Sequence, residues 1–143
     1  MKRHNGRILA IMTLYNIDLN SYDVNEGAKY FEEIKTLEME YEYQVEIDYI
    51  FSQKLVLGVL EQLENIDKII SDTLVKYTID RLSYVDRAVI RLATYEMVYG
   101  KEPKEVVIDE ALLITREYSN LENDAQVKFN NKLLDNIANK VYE

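Results

Sequence analysis

Apolar positions recur with helical spacing from one end of the chain to the other, and strand-like alternation is nowhere sustained. The run from Leu82 to Glu96 is the clearest case. Val85, Ala88, Val89, Leu92, Ala93 and Tyr99 follow one stripe, and Ile90, Tyr95, Met97 and Val98 extend burial to other faces. Arg87, Arg91 and Thr94 are left as one narrow polar strip. A helix apolar round most of its circumference belongs in the middle of a helical domain. Ser83, with Asp86 three residues on, predicts a capped start, and Gly100 lies near the end.

The rest of the chain reads the same way. A first helix is predicted from about Arg7 to Asp18, with Ile8, Ile11, Met12 and Tyr15 inward, followed by a turn from Asn20 to Asp23. A weaker helix, about Asn25 to Leu37, turns Tyr30, Phe31 and Ile34 inward. A long third helix, about Tyr43 to Leu63, presents Val45, Tyr49, Phe51, Leu55, Val56, Val59 and Leu60 as a broad apolar face. Gly58 inside it costs about 1 kcal/mol against alanine, which points to a close backbone crossing. Asn65 is placed to cap a fourth helix, Ile66 to about Lys76.

Pro103 stops the central helix and pushes Glu102 out of helical conformation. Residues from Glu102 then form a short extended approach to a sixth helix, about Ile108 to Tyr118, carrying Ala111, Leu112 and Ile114. A seventh, about Asp124 to Val141, buries Val127, Leu133, Leu134, Ile137 and Val141. Seven helices with short connections predict an all-α orthogonal bundle. It forms one domain, with an amino-terminal subdomain to about residue 76 and a carboxy-terminal one from about 77 to 143.

Composition narrows the function. A chain of 143 residues, 48% apolar, has room for one domain with its own core. It holds no cysteine, and its one histidine, His4, lies in a mobile-looking amino terminus, so a zinc site would need mostly carboxylates. No apolar run reaches the roughly 20 residues of a membrane span. The stretch Ile8 to Met12 is too short for a signal peptide, which makes a soluble cytoplasmic protein the default.

The net charge of −9 argues against a nucleic-acid binder until it is mapped. Residues 23–48 hold Asp23, Glu26, Glu32, Glu33, Glu38, Glu40, Glu42, Glu46 and Asp48 against Lys29 and Lys35, which supplies −7 of it. The first ten residues carry Lys2, Arg3 and Arg7 and no acid. Local field decides where a phosphate backbone settles.

Enzyme chemistry finds little to stand on. A hydrolytic triad needs a histidine in a structured pocket, and the four glycines form no phosphate-cradling pattern. Asp109 and Glu110 diverge on a helix and suit its first turn; Asp67 and Asp72 read the same way. Two stretches remain. Lys2, Arg3, His4 and Arg7 bring donors beside a helix start, where phosphate is welcome, or serve solubility alone. Lys128 to Lys132 set Phe129 among two cations and two amides, a mixture suited to unpaired bases, unless Phe129 packs into the core.

Taken in order, these pieces resemble the NusB family of bacterial antitermination factors over nearly the whole chain. The matching segments are Arg7 to Tyr15, Gly58 with Ile66 to Ile70, Val85 to Glu96, Pro103 with Val106 to Ala111, and Lys128-Phe129…Asn131…Leu134-Asp135. The resemblance implies two small subdomains of three and four helices, with no cofactor and no enzymatic activity. It implies pairing with NusE, a small-subunit ribosomal protein, on a short single-stranded RNA element in ribosomal RNA operon leaders. That complex assists RNA polymerase and supports ribosomal RNA maturation. RNA contact then falls to Lys2, Arg3 and Arg7, with Tyr15 nearby, and to Phe129 and Asn131 with Lys128. Asp86 falls near the RNA and partner surface, and Asp80 and Tyr84 on the partner side.

The chain departs from the family pattern in places. The usual Phe-Val-Asn-Gly reads Phe129-Asn130-Asn131-Lys132, and a tryptophan often found before the central helix is replaced by Tyr77 or absent. The acidic 23–48 segment is either a solvated surface or a face for a basic partner. A second reading of the whole is an acidic helical adaptor that has lost RNA binding. A third, the accessory domain of ribosomal RNA cytosine methyltransferases, is disfavoured because no cofactor-binding domain follows the last helix. Family members differ in self-association, so a homodimer stays open.

Overall fold

The computed structural model describes residues 1–40, 45–119 and 123–142. Among these the chain is all α-helix apart from turns and one short 3-10 segment. The helices are α1 (Lys2–Asn20), α2 (Val24–Glu40), α3 (Tyr49–Glu61), α4 (Leu63–Thr73), α5 (Tyr84–Tyr99), α6 (Lys104–Tyr118) and α7 (Ala125–Val141). They divide into two compact units, Met1–Glu61 and Gln62–Glu143. The boundary expected near residue 76 therefore moves back, because α4 packs on α5 and α7. Three helices fall in the first unit and four in the second.

In the first unit α3 packs against both α1 and α2. Leu9, Ala10, Ile11, Leu14 and Ile17 of α1 close on Phe31 of α2 and on Leu55, Val56 and Val59 of α3, all buried. The inward face of α1 is rotated from the expected one: Met12 is exposed, and Ile8 and Tyr15 are half-buried. Apolar residues occupy more than half of this helix's circumference, so spacing alone does not fix its phase. α3 starts later than predicted, and Val45 is exposed; Tyr43 lies outside the described residues.

Close approaches occur at two other glycines. A Cβ on Gly6 would meet the Asp48 carbonyl oxygen at 3.1 Å and Phe51 Cδ2 at 3.3 Å. A Cβ on Gly27 would meet Leu60 Cδ1 at 2.7 Å. Gly58 itself is half-buried.

The second unit is built round α5, as its pattern predicts. Ala88, Val89, Ile90, Leu92, Ala93 and Met97 are buried, and α4, α6 and α7 all pack on this helix. Ser83 caps it, its hydroxyl accepting from the Asp86 amide at 3.1 Å. The polar strip is not solvated. Thr94 and Arg87 are buried, and Arg91 reaches across to α4, where its Nε and Nη2 donate to Asp67 at 2.9 and 2.8 Å. Tyr99, expected in the stripe, is 40% exposed; its hydroxyl accepts from Asn65 of α4 and donates to Gln62, just before that helix. Asn65 thus lies inside α4, which begins three residues earlier than expected, at Leu63 behind Gln62. α6 also begins early, at Lys104 directly after Pro103, so the extended approach is absent. Pro103 holds φ −59° and ψ 148°, a non-helical start from which its carbonyl accepts the first helical amides. Lys140 of α7 donates to the carbonyl of Asp72 at 3.0 Å, a cation on the last turn of α4.

Candidate nucleic-acid interface

In the first unit, the amino terminus is a folded part of α1 and not a loose arm. The Asp48 amide donates to the Lys2 carbonyl at 3.2 Å, and the Asn5 side chain donates to the Glu46 carbonyl at 2.8 Å. Phe51 then sits beneath two guanidinium groups, Arg3 at 4.0 Å and Arg7 at 5.1 Å from its ring centroid. Such stacking is worth about 0.5–1 kcal/mol when exposed and about 2 when desolvated. Lys2 and Arg3 are exposed, whereas Arg7 is only 5% exposed. Arg7, expected among the RNA contacts, is therefore held against Phe51 of α3 with little of its surface open. Tyr15 is half-buried on the same helix. The role of Phe51 was missed because a lone aromatic in an apolar face carries no sign of the cations above it.

In the second unit, Asp80 and Tyr84 are exposed, with the Arg87 guanidinium 4.6 Å from the Tyr84 ring centroid. Asp86, expected beside the partner surface, is instead 4% exposed. Its Oδ1 accepts from Ser119 Oγ at 2.8 Å and Asn130 Nδ2 at 3.1 Å, and its Oδ2 from Ser83 Oγ at 2.8 Å. Asn130 is fully buried and also meets Thr115 Oγ1 and the Gln126 amide, each at 3.1 Å. Buried polar groups demand such partners. Position 130 shares the Val127, Leu134 and Ile137 spacing, a signal that would have placed it inside.

The Phe129…Asn131 pair is split by helix geometry. Residues two apart on a helix point about 200° apart, so the two side chains open onto different flanks of α7. Phe129 is half-buried, its ring edge-on to Tyr77 at 6.0 Å between centroids, in a groove of about 370 Å³ shared with Lys76 and Lys132. Asn131 lies in a groove of about 590 Å³ between α6 and α7, with Lys104, Glu105, Asp109 and Asp135. Lys128 is exposed. The core position expected as one alternative for Phe129 is taken by Asn130 beside it.

Among the described residues no cluster of three metal-ligating side chains occurs, and no helix is long and apolar enough to cross a membrane. The Lys68 ammonium hydrogen-bonds Asp72 at 2.9 Å and holds its carboxyl below the usual range. Burial, reinforced by Tyr22 and Glu33, pushes the Tyr30 phenol up in the acid-rich α2.

The family model described as the NusB family matches residues 4–139. The transcription antitermination protein NusB of Treponema denticola is 35% identical over 141 residues, spanning 96% of this chain and 96% of its own. That of Bacillus subtilis is 36% identical over 143 residues, spanning 99% and 98%. Among solved structures, T. maritima NusB aligns at a TM-score of 0.81 with 34% identity, covering 98% of this chain and 92% of that one. A chain in the crystal structure of antitermination factors NusB and NusE in complex with dsRNA aligns at 0.77 with 26% identity, covering 96% of each.

Proposed function

The chain belongs to the NusB family, and from that membership we propose that it binds a short single-stranded RNA element of ribosomal RNA operon leaders together with NusE. It acts in the cytoplasm as an antitermination factor, within the complex that accompanies RNA polymerase. The observation that carries this reading is the likeness, along 96% of both chains, to a protein crystallised with NusE and double-stranded RNA. Exposed Lys2 and Arg3 at the start of α1, with no acid in the first ten residues, support phosphate contact in the first unit. Lys128 and Phe129 support it in the second. Asp80 and Tyr84, exposed just before and at the start of α5, suit the NusE face. Buried Asp86, bonded to Ser83, holds that stretch in place.

A second reading, an acidic adaptor that works through proteins alone, gains from the burial of Arg7, which thins the cationic start. The test is fluorescence anisotropy of a labelled leader RNA, titrated with this protein and then with equimolar NusE, beside scrambled and duplex RNA at two salt concentrations. Salt-sensitive, sequence-selective binding that tightens with NusE is the expected result, weakened by Lys2→Glu with Arg3→Glu. Indifference to RNA in every mixture, with NusE folded, leaves the adaptor.

A further inference from the structure

Helices α6 and α7 pack on each other and leave a groove of about 590 Å³ between them. On α6 it runs from Lys104 to Leu112 and on α7 from Asn131 to Asn139, about 12 Å of each at 1.5 Å per residue. The floor is apolar, with Ile108 and Ala138 buried and Leu112 half-buried. The rims are acidic: Glu105 and Asp109 on one side and Asp135 on the other are all exposed. Lys104 offsets one of the three charges, which leaves −2. Among the described residues none of these carboxylates is hydrogen-bonded or ion-paired. The helix dipole accounts for Glu105 alone, in the first turn of α6. Asp109, read from the sequence as a first-turn residue, lies further in because α6 begins at Lys104, and Asp135 is well inside α7. Tyr142, just past α7, brings a ring to the same rim: burial and then the Glu105 charge push its phenol up.

We propose that this groove docks an amphipathic basic helix of a partner protein, its apolar side chains on Ile108 and Leu112 and its lysines or arginines against Asp109 and Asp135. A helix laid in a groove anchors through side chains three or four residues apart, and about 12 Å gives room for two turns of it. Charge complementarity selects the occupant. A phosphate backbone is repelled by the −2, and an acidic helix is repelled in the same way. A purely apolar helix fills the floor and leaves the acidic rims unanswered. A second copy of this chain brings −9 of its own. Proteins that hold RNA do so with lysine and arginine, so an RNA-bound assembly surrounds the groove with suitable segments. That setting rests on the RNA-binding reading above; the preference of the groove for a basic helix does not.

The test follows the backbone amide NMR signals of the full chain as a stapled helical peptide is added, with leucines on one face and lysines beside them. A second peptide carries serine for leucine at equal charge, and spermine is the third probe. Shifts confined to residues 104–112 and 131–139 are expected, and with the leucine peptide alone. Asp109→Asn with Asp135→Asn should weaken binding about fivefold, as two exposed ion pairs are lost. Leu112→Ser should weaken it about tenfold through lost apolar contact. Glu33→Gln with Glu40→Gln, on the acid-rich α2, should change it by less than about twofold. Circular dichroism checks each fold. Shifts centred on α2, an equal response to the serine peptide or to spermine, or no shifts at all overturn the proposal. No RNA enters these titrations. A chain that takes the peptide but ignores leader RNA keeps the groove and overturns the RNA-bound setting with its parent reading. One that binds RNA and ignores the peptide overturns the groove alone.

Discussion

Asp86 accepts hydrogen bonds from side chains at the start of α5, just past the end of α6 and on the inner face of α7. Hydrogen bonds to a charged acceptor are worth about 1.5–3 kcal/mol each, and removing the acceptor strands buried donors. Asp86→Ala should therefore lower the unfolding free energy by about 3 kcal/mol, read from the urea midpoint at unchanged m-value. Adding Asn130→Val should recover part of that loss, since it removes one stranded donor; strict additivity would show that the pair is not coupled. The Ser83–Asp86 cap was legible in the sequence because it is local. The fates of Arg7 and Asp86 were not. A charged residue is read as exposed by default, and only three-dimensional partners such as Phe51, Ser119 and Asn130 pull it inside.

Among the helices, α5 and α7 are the most legible in the sequence, since each has a strong apolar stripe and α5 a capped start. The phase of α1 is not legible, because Ile8, Met12 and Tyr15 compete with Leu9, Ala10, Thr13 and Ile17 for the core face. What selects the second set is the crossing of α1 on α3, where Gly6 lets the Asp48 carbonyl and Phe51 approach. Gly6→Val should cost about 2 kcal/mol, as an overpacked contact against backbone, measured by thermal or urea unfolding. An equal substitution at exposed Asn20, the last residue of the helix, should stay within about 0.5 kcal/mol. The early starts of α4 and α6 had a common cause. Neither helix uses a side-chain cap, so the sequence signal for a start was absent or misplaced.

For the whole molecule, charge distribution matters more than its sum. The cations named for RNA are Lys2, Arg3 and Lys128, against a total of −9. Three phosphate contacts on a single strand give a log–log salt slope of about −2. Anisotropy at several salt concentrations checks this, and a slope near zero would mean that the phosphates are not held by these side chains. The all-helical fold and the family were legible because long periodic helices and an ordered set of short motifs survive in one sequence. The division at Glu61 was not, because α4 looks alike whichever unit it joins, and its partner Arg91 lies 24 residues on. That division also sets a timetable. At about 5–20 residues per second, the 82 residues from Gln62 to Glu143 take roughly 4–16 s to synthesise. Helical units fold in microseconds to milliseconds. Every nascent chain thus passes through seconds in which Lys2 and Arg3 have been made and the groove beside Phe129, which needs α7, has not.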